Sequence, residues 1–406
     1  MKALERFLKY IAIPTASDEK STVTPSTACQ FDLSRHLAEE MIAMGLSDVS
    51  VDEHAYVYGF IPASPGLEEK KAIGLIAHLD TVAGFEEKPV NYQIIEHYDG
   101  GPIRLGESGK VIEPSRFPHL KRKVGKTIVT TDGTTVLGAD DKAGIAAILT
   151  ACEQLLASGK AHGKICVCFT PDEEIGHGAS LLDLKRFGAD YAYTVDGGGP
   201  EDMEYETFNA AGAKWEITGF EVHPGSAKDT MINASLVAME INSMLPAGQT
   251  PRDTSGREGF FHLCAISGDV SRTVMEYIIR DHDPKLFELK KQQMKSIAHQ
   301  INCKYGDGTA RLTLTDQYQN MAEIVCRYPE ILDIARQAIS DVGLTPQSHP
   351  VRGGTDGAQL SFRGLPCPNL GAGGYSFHGP YEHLVAEELD QSVQVLLNVI
   401  EAFSKR

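Results

Sequence analysis

The sequence predicts an α/β fold in which a first domain is interrupted by a smaller, inserted α+β domain. Three observations carry that expectation. Short apolar runs alternate with helical patterns through the first half of the chain, the texture changes near Phe208, and amphipathic helices of the first kind return after Asp316. Strands alternating with helices build layered α/β folds on a largely parallel sheet. At 406 residues the chain exceeds the size at which a single core usually stops growing, which calls for two domains. The expected division assigns 1–207 and 317–406 to the first domain and 208–316 to the insertion.

Leu4, Phe7, Leu8 and Ile11 recur at helical spacing until Pro14 stops them, predicting a short opening helix. A second helix is expected over 29–46, with Gly45 near its end. Strands follow at 56–61, 72–77, 127–130, 165–169 and 191–195, the last three separated by helical patterns. The clearest of these carries Ile145, Ile148, Leu149, Cys152, Leu155 and Leu156. The insertion reads as a strand over 213–220, a helix through 231–245, a strand over 273–279, a charged helix over 284–300 and a strand over 310–315. Helices over 331–342 and 389–403 complete the first domain. Residues 81–125, rich in Gly and Pro, offer no periodicity that assigns them an element, and no internal repeat or low-complexity segment is present.

Lys plus Arg number 38 against 55 Asp plus Glu, a formal charge of −17. That balance argues against nucleic acid or an anionic membrane as partner, and it is compatible with carboxylates that bind metal. Glu5, Arg6 and Lys9 interrupt the N-terminal apolar residues, unlike a signal peptide, and no stretch is long enough to span a membrane. The eight cysteines include no Cys-x-x-Cys pair, which suits a reducing compartment and predicts a cytoplasmic protein. Cys166 and Cys168, two apart in a strand, are expected on one buried face, and Met231 and Met239 in a helix core. The charges over 285–295 are expected on a solvated helix face, and His177 is expected as a loop histidine.

Chemistry concentrates where apolar strands end. Glu173 and Glu174, in Phe169-Thr-Pro-Asp-Glu-Glu-Ile-Gly176, follow the 165–169 run. Two bare carboxylates there would repel unless a cation or proton separates them. One liganding a metal while the other holds a water would satisfy both. His78-Leu-Asp80 closes the 72–77 strand, and alternation places Asp80 on the side of His78, where it could orient the imidazole. Asp140 and Asp141 precede a helix, Asp141 as its cap, which leaves Asp140 to face the strand ends. Asp196 closes the 191–195 strand before three glycines, and His378 follows a Gly-rich stretch. In open α/β sheets the carboxyl ends of strands are where sites assemble. His78, Asp140, Glu174, Asp196 and His378 mix imidazole with carboxylate, a donor set suited to zinc and to a lesser degree cobalt or manganese. Five ligands exceed what one open catalytic zinc takes, so two ions sharing one carboxylate, Asp140, are expected.

The segments Ala77-His-Leu-Asp-Thr81, Thr131-Asp-Gly-Thr-Thr-Val-Leu-Gly-Ala-Asp-Asp-Lys-Ala-Gly-Ile145, Phe169-Thr-Pro-Asp-Glu-Glu174, Tyr193-Thr-Val-Asp-Gly-Gly-Gly199, His223-Pro-Gly225 and Arg352-Gly-Gly-Thr-Asp-Gly-Ala-Gln-Leu-Ser-Phe362 resemble the peptidase T family. These are tripeptide aminopeptidases of the di-zinc aminoacylase/carboxypeptidase superfamily. The resemblance spans nearly the whole chain. It implies a zinc-exopeptidase-like catalytic domain with an inserted lid of the dimerisation type, two zinc ions per subunit and short peptides as partners. It makes His78, Asp140, Glu174, Asp196 and His378 the metal ligands, Glu173 the general base and Asp80 the partner of His78. It also implies a cis peptide between Asp140 and Asp141, and substrate contacts from His223 and Arg280. Arg352 is a further candidate for the peptide carboxylate, because its planar fork suits bidentate recognition. Two places depart from the family. Pro380 and Tyr381 stand where a basic residue and a histidine are expected, and the loop over 82–87 differs.

The chemistry so implied is attack on the peptide carbonyl by a water bridging both zinc ions, with Glu173 taking its proton and passing it to the leaving amine. The same ligand set would serve a dipeptidase, a carboxypeptidase or an aminoacylase. An inactive metal-binding homologue would be expected to have lost a ligand or Glu173, and a purely structural role for the acids would predict no stoichiometric zinc. The lid could also pair into a homodimer.

Overall fold

The computed structural model describes residues 1–85 and 88–406, so the Glu86 and Glu87 part of the divergent 82–87 loop lies outside the described residues. Two compact units emerge. The first comprises Met1–Tyr205, Glu323–His349 and Thr355–Arg406, and the second Glu206–Ala322 and Pro350–Gly354.

The first unit is built on a seven-stranded sheet, in the order Ser47–Val51, Val57–Ile61, Ile165–Thr170, Ile73–His78, Tyr191–Val195, Asn369–Leu370 and Met203–Glu204. Its central strands are parallel: Ile73–His78 pairs with Ile165–Thr170 and with Tyr191–Val195, which pairs in turn with Asn369–Leu370. The outer pairings are antiparallel, so the sheet is mixed rather than largely parallel. Continuous burial of Ile73–His78 and Ile165–Thr170 is what two covered faces demand of central strands. Cys166 and Cys168 both sit in that core with Ile76, Leu182 and Leu360.

The helix Ala139–Ser158 packs on this sheet, and Gly144 sets how closely. A Cβ at that position would lie 1.8 Å from the Val195 carbonyl oxygen, so only glycine permits the approach. That contact brings the start of the helix, with Asp140 and Asp141, to the strand that delivers Asp196.

The 127–130 run proves not to belong to the parallel layer. The strand Ile128–Thr131 lies in a separate sheet ordered Gly374–Tyr375, His383–Val385, Ile128–Thr131, Tyr92–Ile95, with every pairing antiparallel. A short buried apolar run carries no information about pairing direction. The unassigned 81–125 region holds Tyr92–Ile95, the short strands Ile103–Arg104 and Val111–Ile112, and a 3-10 turn Pro118–Arg122. Tyr98, Ile103, Leu105, Ile112, Leu120 and Ile128 form its small core. The divergent Tyr381 packs against Phe117 of this region, with ring centroids 5.7 Å apart.

The second unit is a four-stranded antiparallel sheet, ordered Phe260–Gly268, Arg272–Asp281, Asn209–Thr218 and Ala310–Tyr318. Helices Ala234–Ser243 and Pro284–Tyr305 cover one face, around Trp215, Met275, Ile279, Met294 and Ile297. Phe260–Gly268 escaped the sequence reading because it is a largely exposed edge strand. Two other expectations are corrected here. Met239 is 62% exposed rather than core. Lys290 and Lys291 are buried, paired to Asp281 at 2.9 Å and Asp316 at 2.9 Å, so the charged helix is not solvated all along that face.

Candidate metal centre

The parallel strands end in register on one edge. His78 is opposite Thr170, and Leu370 is opposite Val195, so the loops after them deliver Asp80, the Glu173–Glu174 pair, Asp196 and the His378 segment to one place. Asp140 comes from the first residues of Ala139–Ser158, where it and Asp141 have non-helical backbone angles and the peptide bond between them is cis.

Asp140 stands between two imidazoles. Its Oδ1 lies 2.8 Å from His78 Nε2, and its Oδ2 lies 3.2 Å from His378 Nε2. Glu174 Oε2 is 2.9 Å from the same His378 nitrogen, and Asp196 Oδ2 is 3.9 Å from His78 Nε2. All five sequence-assigned ligands thus meet, one side chain facing both halves. Among the described residues, two groups have donor atoms close enough for one ion: His78 with Asp140 and Glu174, and His78 with Asp141 and Asp196.

Asp141 was expected only as a cap. Its carboxylate does accept the Gly144 N–H at 3.2 Å, and it also accepts the His78 N–H at 3.1 Å. Asp80 supports the centre in two ways. His78 Nδ1 lies 2.9 Å from the Asp80 carbonyl oxygen and 3.4 Å from its carboxylate. The same carboxylate accepts the N–H groups of Glu173 and Glu174 at 3.0 and 3.2 Å, fixing the turn that carries both. The turn is held elsewhere by Asp172, whose carboxylate accepts from Ser26 and from Gln30 Nε2 at 2.7 Å.

The electrostatics describe an anionic pocket. Burial, and then repulsion from Asp140, holds the Asp196 carboxyl well above the usual range. Burial likewise raises Glu174 and lifts Glu173 well above its ordinary value, with Asp356 and Asp196 adding to the latter. His378 is pushed up to about 11 by Asp140 and Glu174. Burial opposes charge on His78, yet Asp140 and Asp80 carry its pKa well above the usual value. Buried carboxylates that repel one another around two imidazoles are a donor set that a divalent cation compensates.

His177 is exposed on the turn after Glu174, its N–H donating to the Asp172 carbonyl. The expected substrate contacts lie in the second unit. His223 caps a short 3-10 turn, its Nδ1 accepting the Gly225 N–H at 3.1 Å. Arg280 donates to the carbonyls of Ala211 and Ile279 and lies over the Tyr318 ring. Arg352 donates to the carbonyls of Gly256 and Glu258 at 2.9 Å and to Thr254 Oγ1 at 2.8 Å. Sequence reasoning missed Glu382, whose buried carboxylate holds the Asp140 loop, and Asp356, whose carboxylate accepts the Thr170 hydroxyl at 2.7 Å. Glu382 sits four residues after His378, a spacing that carries no recognisable pattern.

A His, Asp and Glu cluster at the carboxyl ends of parallel strands has the composition of a metal-dependent hydrolase site. The family model described as Peptidase family M20/M25/M40 matches residues 136–402, and this chain belongs to that family. It is 49% identical over 405 residues to Peptidase T of Alkaliphilus oremlandii, covering 99% of each chain. Its fold resembles a tripeptidase from Staphylococcus aureus, with TM-score 0.78 and 22% identity over 100% of this chain and 98% of that one. It also resembles a dinuclear metal binding peptidase of the M20 family from Bacillus subtilis, with TM-score 0.68 and 14% identity over 99% and 97% of the two chains.

Proposed function

We propose that this metallopeptidase releases the N-terminal residue of tripeptides, using two zinc ions held by His78, Asp140, Glu174, Asp196 and His378. The observation that carries the reading is the Asp140 carboxylate, with one oxygen toward each imidazole at 2.8 and 3.2 Å. Imidazole with carboxylate is a zinc-type donor set. Ions bound there would polarise the scissile carbonyl and make a bound water acidic near neutrality.

The remaining steps belong to the chain. Glu173, its carboxyl held by burial well above the ordinary value, takes the proton of the attacking water and returns it to the leaving amine. Asp80 keeps the Glu173–Glu174 turn and the His78 ring in place. His223 and Arg280 are assigned to the peptide's carbonyl and carboxylate. Arg352 would join them by exchanging its present carbonyl partners for the substrate. A cytoplasmic location agrees with eight cysteines that form no disulfide; no helix among the described residues is long and apolar enough to cross a membrane. A homodimer through the second unit is retained as part of the proposal.

The test is a panel of tripeptides, dipeptides and acyl-amino acids with and without added zinc, with the released residue identified by mass spectrometry. Zinc-dependent release of the N-terminal residue from tripeptides is the expected result. Release from the C-terminus, or preference for dipeptides or acyl-amino acids, would replace it with carboxypeptidase, dipeptidase or aminoacylase activity.

A further inference from the structure

His378 is the ligand least held by packing. Its side chain is 55% exposed, against 12% for Asp140 and 4% for Glu174, and its φ is +59° in a segment where Ser376 is also at +60°. The position of the ring therefore depends on what anchors its loop. That loop closes at Glu382, whose N–H donates to the Gly379 carbonyl at 3.1 Å. The Glu382 side chain is 1% exposed and crosses to the other ligand loop. Its Oε2 accepts the N–H groups of Leu137 and Gly138 at 2.7 and 3.0 Å, and its Oε1 accepts that of Asp140 at 3.0 Å.

We infer that Glu382 is a positioning residue which sets the separation between Asp140 and His378, and hence the affinity of the half-site that these two share with Glu174. The inference rests on the two-ion reading above. One side chain accepting three amides through both of its oxygens is a clamp that no isostere with a single acceptor reproduces. Glutamine has one acceptor oxygen, so its NH2 must face either the Asp140 amide or the Leu137 and Gly138 pair, donor against donor. The two loops then shift relative to each other, while the His78 and Asp196 side, carried on the parallel strands, keeps its place.

The experiment is zinc titration of the full-length chain against a chromophoric chelator, together with thermal unfolding, for the wild type and Glu382→Gln. Two tight ions in the wild type and one of them weakened by about 10–100-fold in the variant is the expected result, the scale for residues that orient a metal ligand. Excess zinc should then restore turnover. Wild-type affinity for both ions in the variant would overturn the inference, as would an equal weakening of both in step with a lower Tm, since that is what a merely structural residue does. Glu382→Asp keeps the charge but shortens the reach, and serves the same comparison if the glutamine variant does not fold. Fewer than two ions in the wild type would instead refute the two-ion reading itself.

Discussion

Two buried polar clusters on the first unit contrast with each other. The metal centre gathers Asp80, Asp140, Asp141, Glu173, Glu174 and Asp196 around two imidazoles. Burial, reinforced by neighbouring carboxylates, raises the proton affinity of Asp141, Glu173, Glu174 and Asp196, while the two imidazoles hold Asp140 below its usual value against the effect of burial. The second cluster surrounds Glu388 at the start of the helix Ala386–Lys405. Lys123 Nζ lies 2.6 Å from Glu388 Oε1 and donates to the Tyr375 hydroxyl at 2.8 Å, Tyr375 donates to Glu388 Oε2 at 2.7 Å, and Lys126 pairs with Glu388 as well. His119 and His383 complete it as a neutral pair. Here the charges answer each other, and burial is offset by partners on the same chain. A cluster that balances itself is scaffolding, whereas one that crowds six carboxyls around two imidazoles is suited to a cation that arrives from outside.

The largest expected effect tests the division of labour in the anionic cluster. Glu173→Gln should lower turnover by about 10²–10⁴-fold, the range for loss of a general base, with zinc content by mass spectrometry unchanged. Loss of zinc in parallel would make Glu173 a ligand instead. Next comes the balanced cluster. Lys123→Met leaves Glu388 with one cation fewer in a buried setting, a change that costs about 3–5 kcal/mol when a buried pair is broken. Urea unfolding should register that loss while both zinc affinities stay as in the wild type. A drop in zinc affinity would mean that the two clusters are one.

A smaller effect has opposite signs in the two places. The Asp196 carboxyl is raised in the folded chain, so its contribution is present below the unfolded value and lost as pH rises through the folded one. In chelator-treated protein at pH 7, Asp196→Asn should therefore raise Tm by a few degrees, and added zinc should reverse the order. Glu388 is held below its usual value, burial being outweighed by Lys123 and Lys126, so Glu388→Gln should lower Tm with or without chelator. The same sign in both variants would dissolve the contrast.

The metal centre was the more legible of the two because three of its five candidate ligands follow apolar runs: His78 after 73–77, Glu174 after 165–170, Asp196 after 191–195. Strand ends are visible in one dimension, and the carboxyl edge of a parallel sheet gathers them whatever the strand order. The balanced cluster was not legible, since Lys123, Tyr375 and His383 lie on a 3-10 turn border and two short strands that no periodicity marks, and Glu388 falls just before the helix that periodicity does mark. The 81–125 region, which supplies Lys123 and His119, packs on a core of six residues spread between Tyr98 and Ile128, too dispersed for any window to detect. Pairing direction was equally invisible, which is why Ile128–Thr131 was expected in the wrong sheet. Asp141 shows the same limit within the site: its sequence position says helix cap, and only the fold brings its carboxylate to His78.

The smallest effect concerns the histidine pair of the balanced cluster. His383 Nδ1 lies 2.9 Å from the Tyr381 carbonyl, an acceptor, so Nδ1 carries the proton and Nε2 of the neutral ring is bare. His119 Nε2, 2.8 Å away, must then be the donor, and the two rings lie within 9° of parallel. Adding a proton to His383 sets N–H against N–H, beside the Lys123 ammonium. Burial, reinforced by Lys123, accordingly pushes both imidazoles down to about 4. With folded values below the ordinary 6.5, the pair's contribution is complete above about pH 6.5 and is lost as pH falls through about 4. Glu388 faces the pair and opposes the shift, but it is already engaged by two lysines. Wild-type Tm should fall between pH 6.5 and 4 more steeply than that of a His119→Phe/His383→Phe double variant, in which both partners are replaced by rings of similar shape and no nitrogen is left unpaired. Equal slopes would show that acid enters elsewhere.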